Sequence, residues 1–319
     1  MRKLLRYAHP EVTYRISHKV LSLLSKGLHL NKDEKAKAEK LTLPSKLFNI
    51  RLDIPVGTGA GIDKDGDLAK LYLTLCGFHT VGSILLHPRP GNPHPRLYRY
   101  PEALSMINAM GLPSRGISYV IKNLLQIPER YVVIANIAGF TTEEFVILAK
   151  VLSRIDCVKV IELNISCPQY KNINLHEPRF LEDLLQRVRE VTRKPILVKI
   201  SPRMHVFLRD IVRVCEKFSN VGLTIANSFP VKAEFMSSGI GGVSGILIYR
   251  LMRKLVEIVR KISDIVVVAC GGVFYGEQVY ELLTRFNVSA VQVVTAIAYE
   301  GPFALVRIIR ELEAVVESR

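Results

Sequence analysis

From Ile54 onward one unit recurs eight times: a short β-branched run closing on Gly, Asn, Ser or Lys, then a stretch with helical spacing. The runs are IPVGTGA (Ile54 to Ala60), HTVGSI (His79 to Ile84), YVVIANI (Tyr131 to Ile137) and VKVIELNI (Val158 to Ile165). PILVKIS (Pro195 to Ser201), VGLTIAN (Val221 to Asn227), IVVVACG (Ile265 to Gly271) and AVQVVTA (Ala290 to Ala296) follow. Such near-continuous apolar runs suit strands buried on both faces of a parallel sheet. Between them, Thr142 to Ser153, Phe180 to Thr192, Leu247 to Ile262 and Pro302 to Val316 carry helical periodicity. Eight alternations over roughly 250 residues have the size and rhythm of a closed barrel rather than an open doubly wound sheet. The expected fold class is α/β, a (β/α)8 TIM barrel with a small N-terminal helical extension. Residues 1–45 form the extension in this reading, and residues 46–319 the barrel.

The extension has its own pattern. Pro10 sits where a helix can begin, and Ile16, Val20, Leu23 and Leu24 recur at helical spacing among Arg6, Arg15, Lys19 and Lys26. NKDEKAKAEK (Asn31 to Lys40) reads as a charged linker or a short exposed helix. No run of about 18 apolar residues is present, so no membrane-crossing helix is expected. The opening residues, MRKLLRYAHPEVTYR, lack the features of a secretory signal, which makes the cytoplasm the default location. The five cysteines form no CxxC pair, which argues against a zinc site or a disulfide framework. Cys76, Cys157, Cys215 and Cys270 stand among apolar neighbours as small core residues, whereas Cys167 lies in a polar loop between Ser166 and Pro168. The formal charge of +15 describes either a solvated basic surface or an anionic partner: substrate, cofactor phosphate, lipid or nucleic acid.

In such barrels the active site lies at the C-terminal ends of the strands. Those positions carry Gly59, Gly61, Asp63 and Lys64, then Ser83, Asn136, Asn164 and Cys167, then Lys199, Asn227, Gly271, Gly272 and Thr295. A single Asn there is usually a turn residue, but three asparagines and two lysines at one mouth point to ligand contact. No His, Asp or Glu cluster has metal-ligand spacing, so no metal is expected. Asp63 and Glu162 read as structural ion-pair partners rather than a catalytic pair. Gly271 and Gly272 after strand seven, with Thr295 after strand eight, occupy the usual phosphate position of barrels.

Several segments taken in order resemble the dihydroorotate dehydrogenase family. They are GAGIDKDG (Gly59 to Gly66), PRPGNPHPRLYR (Pro88 to Arg99), INAMGL (Ile107 to Leu112), ELNISCP (Glu162 to Pro168), LVKISP (Leu197 to Pro202), IANS (Ile225 to Ser228) and GGVSG (Gly241 to Gly245). The resemblance implies an FMN enzyme of pyrimidine biosynthesis that oxidises dihydroorotate to orotate. It implies Cys167 as the base that takes a proton from carbon while hydride leaves the adjacent carbon. Substrate contacts would come from Lys64, from Asn108, Ala109, Met110, Gly111 and Leu112, and from Asn164, Gln169, Asn227 and Ser228. FMN would be held by Ala60, Gly61, Lys64, Ser83, Asn136 and Asn164 on one side. Lys199, Ala226, Gly242, Gly271, Gly272, Val294 and Thr295 would hold it on the other. A lysine cation suits a substrate carboxylate, and asparagines offer both donors and acceptors to a pyrimidine ring.

Subfamily traits are mixed. Length, GIDKDG and the helical N-terminus resemble the membrane-associated, quinone-reducing class, while the Cys base resembles the soluble classes. Gln169 stands where the family usually has Asn, and Ala226 where quinone-class members often carry Thr. The expected acceptor is a quinone, with the protein cytoplasmic or peripheral on the inner face of the membrane. The alternatives are fumarate, or an NAD-linked iron–sulfur partner subunit. A tRNA dihydrouridine synthase would also be an FMN barrel with a catalytic Cys. The chain stops one helix after strand eight, however, leaving no RNA-binding domain, so no nucleic-acid partner is expected. A non-catalytic barrel is a third reading, opposed by Lys64, Cys167 and Lys199 being present together.

Overall fold

The computed structural model describes residues 9–30, 43, 45–165 and 177–319. Helix α1 (Pro10–Gly27) comes first, followed by a hairpin of β1 (Ser45–Leu47) and β2 (Ile50–Leu52). The barrel strands then arrive in chain order as β3 (Val56–Thr58) and β4 (His79–Ile84). After an excursion through β5 (Leu97–Tyr100) and β6 (Ser105–Asn108) come β7 (Val133–Ile137), β8 (Val158–Asn164), β9 (Ile196–Ile200) and β10 (Val221–Ile225). A second excursion, β11 (Phe229–Lys232) and β12 (Ile240–Gly245), precedes β13 (Val267–Cys270) and β14 (Ala290–Val293). The eight barrel strands are all parallel, in the order β3-β14-β13-β10-β9-β8-β7-β4. Each therefore pairs with its neighbour in the chain, and every segment expected to be a strand contributes one.

The seam between β3 and β4 closes the barrel through a parallel bridge of Gly57 to Phe78. Thr58 N–H donates to the Phe78 carbonyl at 3.3 Å, and Gly61 N–H to that of Gly82 at 2.8 Å. A Cβ on Gly57 would lie 2.3 Å from the Phe78 carbonyl oxygen, so the backbones can approach this closely only because the residue is glycine. Helices cover the outside where the sequence placed them, among them Thr142–Leu152, Pro178–Val191, Tyr249–Arg260 and Phe303–Glu317. Inside, the N-terminal end of the barrel is filled by Phe78, Ile134, Val160, Leu197, Val268 and Ala290. Leu47 and Leu52 of the hairpin complete this cluster.

Two features were not anticipated. The hairpin strands are three residues each, too short for periodicity to register, and the first begins at Ser45. The two excursions leave from C-terminal strand ends and pair with each other as an antiparallel sheet, β11-β12-β6-β5, above the barrel mouth. Helix α1 begins at Pro10, as the sequence indicated, and packs on the short helix α2 (Ala69–Leu73) and on β5. Its Glu11 carboxylate receives the Leu97 N–H at 3.2 Å and the Arg96 N–H, and pairs with His94. The apolar stripe faces away from the barrel, with Ile16 57% and Leu23 64% exposed. The barrel side of the helix is Tyr14, Leu21 and Ser25 instead. Arg6 and the Asn31 to Lys40 segment lie outside the described residues.

Candidate active site

A cavity of about 660 Å³ opens at the C-terminal ends of the barrel strands, walled on one side by Thr13, Tyr14, Ser17, His18 and Leu21 of α1. Roughly 300 to 1,000 Å³ is usual for a small-molecule or cofactor site. Its remaining walls come from the strand ends and from the antiparallel sheet above them.

Lys64 enters the cavity from the loop after β3. Asp63, wholly buried, fixes that loop by accepting the N–H groups of Gly66 at 2.9 Å and Leu68 at 3.0 Å. The other flank of Asp63 meets His79 Nε2 at 3.0 Å, and His79 Nδ1 lies 2.7 Å from Thr58 Oγ1. Tyr72 stacks on the imidazole at 5.2 Å. Lys64 Nζ donates to the Gly61 carbonyl at 2.9 Å and to Tyr14 Oη at 3.0 Å, and lies 4.8 Å from the centre of the Tyr14 ring.

The Asn108 to Leu112 loop forms the roof. Asn92 Nδ2 donates to Ala109 O at 2.9 Å, and Arg89 Nε to Gly111 O at 2.9 Å. Gly111 (φ 73°) and Leu112 (φ 54°) both take the left-handed conformation, which costs a leucine energy and is kept because the loop is clamped on both sides. The PRPGNPHPR segment thus holds the roof in place. Asn108 Nδ2 donates to Gly242 O at 3.2 Å, Asn164 Nδ2 to Ser83 Oγ at 2.9 Å, and Ser228 N–H to Asn227 Oδ1 at 2.8 Å.

Below the cavity the barrel interior is polar, where branched apolar side chains are usual. Wholly buried Glu162 on β8 accepts from Asn136 Nδ2 at 2.6 Å, Thr224 Oγ1 at 2.5 Å and Gln292 Nε2 at 3.1 Å. Lys199 Nζ on β9 stands 3.7 Å from the same carboxylate. The expectation that Glu162 is an ion-pair partner is met by Lys199, and Asp63 is held by the His79 ring and two backbone amides. Asn136 Oδ1 and Gln292 Oε1 are buried without a partner among the described residues. Each such atom costs about 1–3 kcal/mol, so both amides turn their N–H ends to the carboxylate at that expense. Burial works against charge on Lys199, but the Cys270 sulfur and the Glu162 carboxylate outweigh it and raise its pKa. Burial raises the Cys270 thiol in turn, which leaves Glu162 as the effective counter-ion.

Of the residues named from sequence, Ala60, Gly61, Lys64, Ser83, Asn108 to Leu112, Asn164 and Lys199 all border the cavity. So do Ala226, Asn227, Ser228, Gly242, Gly271, Gly272, Val294 and Thr295. Asn136 does not: it lies one layer down, against Glu162. Cys167 and Gln169 fall outside the described residues. Cys76, Cys157, Cys215 and Cys270 are buried, but Cys270 also touches the cavity. Tyr14, His79 and Arg99 were missed. Arg99 adds a cation to the wall, its Nη2 donating to Ala298 O at 2.9 Å beside the Tyr299 ring. RLYR alternation in an extended segment was the available signal for Arg99; Tyr14 and His79 had none.

The closed parallel sheet and the cavity at its strand ends define the class, a (β/α)8-barrel enzyme. The dihydroorotate dehydrogenase family model matches residues 42–316. The catalytic subunit of dihydroorotate dehydrogenase B (NAD(+)) from Bacillus mycoides (strain KBAB4) is 32% identical over 289 residues, 86% of this chain and 92% of that protein. The subunit of the same name from Streptococcus pneumoniae serotype 4 is 32% identical over 271 residues, 79% and 84% of the two chains. The fold is similar to that of DHODH from Eimeria tenella, solved in complex with ferulenol: TM-score 0.81 at 23% identity, over 98% of this chain and 93% of that one. The chain belongs to the dihydroorotate dehydrogenase family. It is an oxidoreductase with FMN as cofactor, and that membership displaces the dihydrouridine synthase and non-catalytic readings.

The cavity suits FMN. Space over Gly61 (φ 107°) is open, with nothing within 4 Å of where a Cβ would point, so a flat ring can lie against the backbone there. Gly271 (φ 121°) and Gly272 (φ 78°) are consecutive left-handed residues; a Cβ on Gly272 would meet Gly245 O at 2.7 Å. Successive N–H groups in such a turn form an anion-binding concavity. Lys199 supplies a buried cation to the same cavity.

Proposed function

We propose that the enzyme oxidises dihydroorotate to orotate in pyrimidine biosynthesis, with Cys167 as base and the cavity residues in the roles the family resemblance gives them. FMN, when bound, supplies the hydride acceptor. Lys64, fixed by the Asp63 loop, offers its remaining proton to the substrate carboxylate. Asn108, Asn164, Asn227 and Ser228 bond the polar edge of the ring, the family resemblance implies the same role for Gln169, and the Asn108 to Leu112 roof excludes water. Cys167 takes the proton from carbon as a thiolate. Gly242, Gly271, Gly272 and Thr295 would hold the cofactor phosphate, and Lys199 would present a fixed cation to the flavin ring.

The observation that carries this reading is the convergence of Lys64, Lys199, Asn108, Asn164 and Asn227 on one cavity within the family-matched span. Mixing the yellow holoenzyme anaerobically with dihydroorotate tests it: the flavin absorbance near 450 nm should bleach (about one two-electron equivalent per site). A bound flavin that dihydroorotate leaves oxidised would refute the reading.

For the final acceptor we infer a quinone, with residues 1–45 as a unit apart from the barrel. Helix α1 walls the cavity with Tyr14, His18 and Leu21 while exposing Ile16, Val20, Leu23 and Leu24 beside Arg15, Lys19 and Lys26. An apolar face ringed by cations suits the surface of an anionic membrane, and no helix among the described residues is long and apolar enough to cross one. The Bacillus and Streptococcus relatives, catalytic subunits of dihydroorotate dehydrogenase B (NAD(+)), favour a second reading, NAD(+) reached through a partner subunit. Steady-state turnover with quinone, fumarate and NAD(+) in parallel separates them, and faster turnover with fumarate or NAD(+) than with quinone would refute the first.

A further inference from the structure

Alternate residues of a strand face the same side, so the inward residues of the barrel stack in layers. On β8 these are Val160, Glu162 and Asn164; on β9, Leu197 and Lys199. Val160 and Leu197 belong to the apolar plug, and Asn164 and Lys199 reach the cavity. Glu162 lies between, at the centre of a layer to which β7, β8, β10 and β14 each contribute a residue: Asn136, Glu162, Thr224 and Gln292. Gln292 also donates to Thr80 on β4 at 3.2 Å, so the layer spans the barrel. Lys199 is 3% exposed, and the only carboxylate within ion-pair distance of it among the described residues is Glu162.

An isolated ammonium at such a depth loses its proton: buried lysines have pKa values as low as about 5 to 6. Three donors orient Glu162 so that it faces Lys199 as an acceptor. We propose that Glu162 is a positioning residue that keeps Lys199 charged beneath the cofactor ring throughout the working pH range, and thereby sets the electron affinity of the bound flavin. It touches neither substrate nor cofactor and acts through Lys199. This rests on the reading that Lys199 faces the flavin.

The test is the reduction potential of the bound flavin measured against pH by dye-coupled redox titration of holoenzyme, in wild type, Lys199→Met and Glu162→Gln. Lys199→Met should have a lower potential than wild type at every pH, by at least about tenfold in the reduced-to-oxidised ratio, which is ~30 mV for two electrons. The wild-type and Lys199→Met curves should run parallel from about pH 6 to 9. Glu162→Gln should come nearest to Lys199→Met at the alkaline end and rise away from it as pH falls, because its lysine regains the proton only there. A Glu162→Gln curve parallel to wild type throughout overturns the proposal while leaving the role of Lys199 intact. If Lys199→Met matches wild type at every pH, the reading of Lys199 itself has failed. Should Glu162→Gln not hold FMN, the other two curves decide. An inflection in wild type between about pH 7 and 9 that Lys199→Met lacks would mean that Glu162 does not hold the charge, and parallel curves uphold it.

Discussion

The hydrogen bond from Lys64 to Tyr14 makes the N-terminal helix part of the proposed substrate site. Of the three ammonium protons, one is directed to Gly61 O at 2.9 Å and one to Tyr14 Oη at 3.0 Å, leaving the third for the substrate carboxylate. Hydrogen bonds to charged groups contribute about 1.5–3 kcal/mol. Both side chains are only part-buried, so solvent screening reduces this to about 1 kcal/mol, or roughly fivefold in binding. Tyr14→Phe removes the hydroxyl but keeps the ring under the ammonium, and should weaken orotate binding about fivefold. The limiting rate of flavin reduction should stay within about twofold of wild type, since the lost interaction orients a binding group and does not touch the reacting carbons. Tyr14→Ala also loses the cation–π contact, about 0.5–1 kcal/mol more, and should bring the total to roughly 10- to 30-fold. Orotate titration followed by flavin absorbance, with anaerobic stopped-flow reduction by dihydroorotate, reads both quantities. Wild-type orotate affinity in Tyr14→Phe, or a loss confined to the limiting rate, would refute the reasoning. Deleting residues 1 to about 40 should accordingly leave flavin reduction possible at raised dihydroorotate concentration, where a helix serving only the acceptor would leave it untouched.

Three further outcomes are expected. Cys167→Ala should retain FMN and lose dihydroorotate-driven flavin reduction by about 10²-fold or more; reduction at the wild-type rate would remove Cys167 as the base. Gly57→Ala, which forces a Cβ to 2.3 Å from the Phe78 carbonyl at the barrel seam, should cost about 1–3 kcal/mol or more and lower Tm by several degrees, and an unchanged Tm would show that the seam is not this tight. Burial pushes Cys76 and Cys215 up to about 12 and Cys157 up to about 11, so these thiols stay protonated and unreactive at about pH 8 and gain reactivity only as pH approaches those values. Iodoacetamide on the native protein should then modify Cys167 first, with orotate protecting it, and Cys157 labelled at the same rate would contradict the buried assignment.

The barrel was legible because its strands are buried on both faces: each had to be an apolar run, and each run had to stop where the backbone meets the cavity. What the sequence hid was set by distance along the chain. Tyr14 reaches Lys64 across fifty residues, and the Glu11 carboxylate holds the Arg96 and Leu97 amides across more than eighty. The stripe Ile16, Val20, Leu23 and Leu24 was a correct helix signal that did not say which face turns inward. The barrel instead receives the more polar face bearing Tyr14 and Ser25, because that face meets a cavity wall and the Leu71 amide rather than an apolar core.

The polar layer was half legible. Strand parity means that any inward residue at a strand end has an inward neighbour two positions earlier, so naming Asn164 as a cavity residue already commits Glu162 to the interior. A carboxylate there has to be paired, because burying an unpaired charge costs far more than folding can supply. The next strand, read with the same parity from Leu197, offers Lys199 as the nearest cation. What parity cannot give is the rest of the shell: Thr224 and Gln292 become donors to Glu162 only once the sheet closes. Closure depends on Gly57 admitting the Phe78 backbone. The electrostatics proposed for the flavin site therefore depend on the seam as well as on the carboxylate, and a variant that loosens the seam should disturb the charge on Lys199 without altering any residue that touches it.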